Sequence, residues 1–511
     1  MGACARDEWR DVVPFSRERL FSLLSNAHAP PDRVATFKQA RYLAGYLDSK
    51  GARTIVVEKE YIDGDYLEDF ATYYVRCFEK YSSRCIRLHF FSSEFDVAAF
   101  DASLARRDEA TDGGYQSSYL GFVVVRPLPR AIVGRTLLKT YDPEGYRRRF
   151  RAKRTYEVSL FGMNLQIESL PFQEQDSVIA ACATVALWTA FHKTAELFST
   201  TAPRPAVITN AANAIRPAKR IMPSKDLRID QMCEAVRAVG LEPQIEPIGP
   251  MTPLASLLYG YLEMEVPVVL AGCQLGDRAA GHAITVVGYA MGNTASDVVE
   301  RPVKGVTSIA SKMDRLYVHD DNVGPFARLG FLDAAQHNAD PNHAKVPFLL
   351  QGKDIDGKPE PWFTPLVALI PIYGKVRLGF TDIHVWAQNF MMLVKAMQID
   401  ITGSEWNIRL TDTQHLKRTI REKMKDVPGV IDLLAKPQPH YIWHAALSTN
   451  GNPLIDLLCD ATGIARSCPV FDVVWHDQQF RELLKQQASR FPNPGAIAAT
   501  EIGKLFTLLA K

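Results

Sequence analysis

Cysteine is scarce in this chain. Eight occur in 511 residues (Cys4, Cys77, Cys85, Cys182, Cys233, Cys273, Cys459 and Cys468), and none forms a C-x-x-C pair. That excludes a disulfide-stapled scaffold, offers no zinc knuckle or redox dithiol, and implies free thiols in a reducing compartment. Charge of one sign is also lacking. Lys and Arg number 59 against 57 Asp and Glu, a formal balance of +2, so global charge gives no argument for nucleic acid or an anionic membrane as partner. The longest nearly uninterrupted apolar run, Val178 to Phe191, spans 14 residues and carries two threonines. A membrane-spanning helix needs roughly 20. The first residues lack a basic segment followed by an apolar one, as a secretory signal would have, and Arg6 stands where myristoylation wants Ser or Thr. The expectation is a cytoplasmic protein with no membrane partner.

Several motifs are missing too. There is no P-loop, G-x-G-x-x-G, G-x-S-x-G or H-E-x-x-H, so nucleotide, dinucleotide, serine-hydrolase and zinc-peptidase readings have no support and no cofactor is expected. His337, Asp340 and His343, and separately His440 and His444, have no third ligand at standard spacing. They read as loop and surface residues, and no metal is expected.

What is present is ordinary globular composition, 47% hydrophobic and 23% charged, in a chain long enough for about three domains at roughly 150 residues each. Residues 1–155 alternate strand and helix patterns: Thr54–Glu58, Cys85–Phe91 and Tyr119–Arg126 read as strands, and Tyr66–Tyr81 as a helix. This predicts an α/β or α+β domain. It ends in the basic stretch Tyr146–Arg154, which reads as a solvated linker or sheet-edge face in preference to a nucleic-acid site. Residues 351–511 suggest an α+β domain suited to substrate or partner binding, with strands Phe363–Tyr373 and Val470–Trp475 and helices Gln414–Lys425 and Asp477–Gln487. The polar segment Asn293–Arg315 reads as a long loop, either a substrate-gating lid or a partner-binding insertion.

The chemistry is concentrated in residues 156–350. A polar, Gln-rich loop (Leu170–Ser177) leads into an Ala-rich apolar helix with Cys182 near its start, where unpaired N–H groups and the positive end of the macrodipole favour a thiolate. By itself such a cysteine is commonly a small core residue. Two further segments change the weighting. Gly281–Tyr289 reads as a strand that opens on His282, and Arg315–Asn322 as a strand that ends in Asp320, Asp321 and Asn322. An acid or amide there could hold one imidazole nitrogen so that the other faces the thiol. Strand alternation places Asp320 and Asp321 on opposite faces. Asp320 is favoured, with Asp321 and Asn322 as alternatives.

The ordered set Cys182, His282, Asp320 resembles the papain-like cysteine peptidases. Across about residues 165–335 it is most similar to the bacterial double-glycine leader peptidases of bacteriocin exporters. The resemblance implies an α+β peptidase domain, a helix bearing Cys packed on an antiparallel sheet, flanked by the two domains above. It also implies a Gln ahead of the nucleophile that donates to the oxyanion: Gln175, seven residues before Cys182, or Gln173. The expected function is hydrolysis of a peptide or isopeptide bond in a peptide or protein substrate, with a regulatory partner or an oligomer formed through the flanking domains. The alternatives are a transglutaminase-like acyl transferase using the same triad, or an inactive papain-like scaffold for partner binding.

Overall fold

The computed structural model describes residues 9–106, 109–176, 178–214, 226–249, 252–275, 280–300, 306–332, 349–353, 357–359, 362–423, 430–463 and 469–488. Helices and strands are mixed, and nearly all strand pairing is antiparallel, so the class is α+β. Five strands form the N-terminal sheet in chain order: Arg10–Pro14, Thr54–Tyr61, Cys85–Phe91, Tyr119–Val125 and Val133–Leu138. The antiparallel pairing removes the α/β option for this region. The helix expected over Tyr66–Tyr81 ends earlier. It runs Gly64–Thr72, capped by the Asp63 side chain at the Tyr66 amide, and a single 3-10 turn, Tyr74–Arg76, follows. Lys38–Ser49 is a second helix here, with Ala40, Leu43, Ala44 and Leu47 buried at the spacing of one helical face.

A six-stranded antiparallel barrel occupies the centre. Its strands are Val268–Leu275, Ala280–Met291, Met313–Asp320, Gly324–Leu332, Leu349–Gln351 and Trp362–Ile372, and the last closes back onto the first. The barrel therefore runs past the domain boundary expected at residue 350. Trp362–Ile372 reads locally as one more buried strand, and only its long-range partners reveal where it belongs. Close approach sets two glycines. A Cβ on Gly272 would run into the Thr364 carbonyl across the closing seam, and one on Gly324 would collide with the Tyr42 ring.

The helix Cys182–Phe198 packs against the barrel and is buried on almost every side, the signature of a core helix. Thr285 Oγ1 donates to the Ala186 carbonyl at 2.8 Å, tying this helix to the histidine strand. In front of it, the hairpin Arg154–Leu160/Met163–Ser169 buries alternate residues, including Met163, Leu165 and Ile167.

The third sheet comprises Thr307–Ser308, Ser404–Asp412, Tyr441–Thr449, Asn452–Asp460 and Val470–Trp475. The segment read as a long loop thus supplies a short strand, a 3-10 turn Ile309–Lys312 and the start of the next barrel strand. The basic stretch is committed within the chain. Arg148–Arg149 pairs with Tyr289–Ala290, Arg147 meets Asp314, Arg151 lies 3.0 Å from Glu263, and Lys153 lies 2.7 Å from Glu168. Cys77, Cys85, Cys182, Cys233 and Cys273 are free thiols, and Cys459 is buried on its strand; Cys4 and Cys468 lie outside the described residues. No helix among the described residues is long and apolar enough to cross a membrane.

Candidate active site

Cys182 is the first residue of its helix. Ala181 before it is extended, so the turn begins at the cysteine and the positive end of the helix lies at Sγ. The approach is shaped by Asp176, whose Oδ1 accepts from the amides of Val178, Ile179 and Ala180 at 2.8–2.9 Å. Tyr74, from the N-terminal region, donates to Asp176 Oδ2 at 2.9 Å.

His282 stands near the start of strand Ala280–Met291, with its ring edge-on to Phe363. Its Nε2 lies 3.0 Å from Asp320 Oδ1, and the Cys182 side chain lies beside the same imidazole, close enough to interact. Asn322 Nδ2 is 3.5 Å from Nδ1, and the Asn322 amide donates to Asp320 Oδ1 at 3.0 Å. Burial opposes a charged imidazole here, but the Asp320 charge and hydrogen bond outweigh it and hold His282 well above the usual histidine range. Burial likewise opposes ionisation of Asp320, and the facing imidazolium overrides it, keeping the carboxyl below its ordinary value.

The predicted residues thus converge as Cys182, His282 and Asp320, with Asn322 at the edge of the ring. Asp321 departs from expectation. The strand ends at Asp320 and the chain turns, so Asp321 does not swing to the opposite face. One ligand atom each from His282, Asp320 and Asp321 lie within 4.8 Å of one another. The Asp321 carboxyl has an oxygen with no hydrogen-bond partner among the described residues, and burial, together with Asp320, pushes it up to about 7 against the pull of His282. Such a His/Asp/Asp group could hold a divalent ion, an arrangement absent from the histidine pairs weighed in the sequence. Of those pairs, His337, Asp340 and His343 lie outside the described residues. His440 is exposed as expected, but His444 is buried on a strand beside Asp456.

The two glutamines differ. Gln173 is buried, and its Nε2 has no hydrogen-bond partner among the described residues; Gln175 is half-buried. Glu174 between them accepts from the Val133 amide at 2.7 Å, and burial pushes its carboxyl up to about 7. Sequence reasoning missed Gln39, which donates to the Asp321 carbonyl at 2.9 Å, as well as Tyr74 and the role of Asp176. Asp176 had a local signal, because Asp readily caps the amides that follow it. Gln39 and Tyr74 had none, since their partners are more than 100 residues away.

No protein-family profile matches this chain, and no curated protein matches it.

Proposed function

We propose that the protein is a thiol hydrolase of papain-like type that cleaves a peptide or isopeptide bond. The observation that carries the reading is the buried His282–Asp320 pair at 3.0 Å with a helix-leading cysteine on the same ring. With Nε2–H given to Asp320, Nδ1 is the nitrogen left for the thiol. The Cys182 thiolate attacks the carbonyl carbon. The imidazolium then gives its proton to the leaving amine as the C–N bond breaks, leaving a thioester. Water, losing a proton to Nδ1, attacks the thioester and releases the acid and the thiol. The Cys182 amide and a side-chain amide from Gln175 or Gln173 stabilise the oxyanion. The barrel beside a core helix supports the reading, since the resemblance places the histidine and acid on an antiparallel sheet facing the nucleophile helix.

A second reading, a metal-dependent hydrolase, is favoured only by the His282/Asp320/Asp321 group. The test is site-resolved alkylation by iodoacetamide at pH 6, with and without a chelator, in the wild type and in His282→Ala. The thiol reading requires Cys182 to react far faster than the other cysteines, to lose that advantage in the variant, and to ignore the chelator. Chelator-sensitive turnover with an inert Cys182 would establish the metal reading instead. If water and added hydroxylamine compete for a common acyl-enzyme, the product ratio separates peptidase from acyl transferase.

A further inference from the structure

Apart from the His282 cluster, a cavity of about 210 Å³ lies where helix Leu254–Leu262, the strand Thr307–Ser308, helix Phe380–Ala396 and strand Ser404–Asp412 meet. Its walls are mostly apolar, among them Val306, Ala387, Met391, Ile401, Trp406 and Ile408. A dry apolar cavity of about 150 Å³ accommodates a benzene ring, so this one has room for a ring and a short arm.

The polar groups gather around one carboxylate. Glu300 Oε2 accepts from the Ser256 amide at 3.1 Å and lies 2.6 Å from the Ser256 hydroxyl. Oε1 is 2.9 Å from that same hydroxyl, which also lies 2.6 Å from Ser308 Oγ. One hydroxyl carries one proton, so it cannot serve both carboxylate oxygens. The amide can serve Oε2 and the hydroxyl Oε1, so both oxygens are held, but only by neutral donors. No Lys, Arg or His among the described residues pairs with Glu300, and burial alone pushes its carboxyl up to about 7. His384, also on the wall, is held well below its usual range by burial, at about 4, and contributes no charge. Lys395 is exposed.

We infer that this cavity binds a small primary amine with an apolar body, its ammonium on Glu300 Oε1 and its hydrocarbon against Trp406 and the methionines. An ammonium supplies the countercharge that no described residue gives Glu300, whereas a purely apolar guest would leave the buried carboxyl with neutral donors only. An anionic guest would meet Glu300 at the polar end. Ligand sites are commonly found at such seams between structural units.

The test is calorimetric titration of the full chain with phenethylamine, 2-phenylethanol and 3-phenylpropionate. The three probes share a phenyl body and differ in the head group. The wild type should bind the amine roughly tenfold or more tightly than the alcohol. Glu300→Gln should abolish that preference while leaving weak alcohol binding, and Ala387→Leu, which fills the cavity, should weaken both. Equal affinity for amine and alcohol in the wild type overturns the proposal without recourse to any variant. So does tighter binding of the carboxylate, an amine preference that survives Glu300→Gln, or no detectable binding of the amine.

Discussion

Two buried His–Asp pairs sit at the same strand register in different parts of this molecule. In the barrel, Thr285 pairs with His319, which brings Asp320 level with the residue two beyond His282. In the C-terminal sheet, Ala446 pairs with Asp456, two residues from His444. Both are diagonal neighbours across an antiparallel pair. Nε2 is hydrogen-bonded to the carboxylate at 3.0 Å in one, and lies 2.9 Å from it out of hydrogen-bond alignment in the other. The second ring nitrogen separates them. At His282 it has Asn322 Nδ2 at 3.5 Å, with Cys182 beside the ring; at His444 it receives Arg409 Nη2 at 3.2 Å. Asp456 is also shared with His476, 3.1 Å away. A His–Asp pair is therefore no sign of catalysis by itself. A ring whose other nitrogen accepts from a guanidinium cannot take a proton from a nucleophile, and the pair then serves as a buried structural bridge.

The sharpest way to break this comparison is to remove the thiol. Cys182→Ala should lower turnover of a peptide substrate by roughly five orders of magnitude, while Asp456→Ala should leave turnover per folded molecule within about twofold, an allowance far below the usual 10²–10⁴ of a general base. A Cys182→Ala enzyme that keeps its rate would sink the thiol mechanism.

Asp320→Asn comes next. The amide oxygen can still accept from Nε2–H but carries no charge to balance an imidazolium, so the rate should fall by about 10²–10⁴. The sign in pH follows from the raised His282 value: the imidazolium persists at pH values where an ordinary histidine is neutral, and it is lost as pH rises through the raised value. In Asp320→Asn that loss should move to lower pH, read as an acid-ward shift of the alkaline limb of the rate profile.

The structural pair has its own, smaller signature. Asp456→Ala leaves two buried imidazoles facing no carboxylate and should cost about 3–5 kcal/mol in urea unfolding. Burial opposes ionisation of Asp456, but His444 and His476 hold its carboxyl below the usual range. This contribution is therefore present above the unfolded carboxylate value and lost as pH falls through the lowered one. Unfolding curves at pH 7 and in acid, compared between wild type and variant, should converge in acid.

Asp321→Asn carries the opposite sign. A carboxyl raised by burial to about 7 makes the folded state hold its proton more tightly than the unfolded one. Wild-type stability from this group therefore falls as pH rises from about 4 to about 7. Over that span, at about 1.4 kcal/mol for each pH unit, the amide should gain up to about 4 kcal/mol over wild type at pH 8 and little at pH 4. No gain at pH 8 would mean that the Asp321 charge has a partner of its own.

Local pattern determined much of this protein. The strands Cys85–Phe91 and Val470–Trp475 and the start of the cysteine helix follow from apolar periodicity and flanking turn residues, and the order Cys182, His282, Asp320 is legible because each sits at the end of an element. The hairpin at Asn450-Gly451, where both residues take positive φ, carries a two-residue turn signal of its own. Other features were beyond local reading. The closure of the barrel by Trp362–Ile372 depends on pairing across about 90 to 100 residues, from Leu275–Trp362 to Val269–Leu369. The parallel seat of Thr307–Ser308, the Gln39 contact to Asp321 and the burial of His444 have the same long-range origin. Periodicity reports only which side of an element avoids water. Which residues meet across the fold, and so whether a histidine faces a thiol or an arginine, is decided when distant segments pack and exclude the solvent between them.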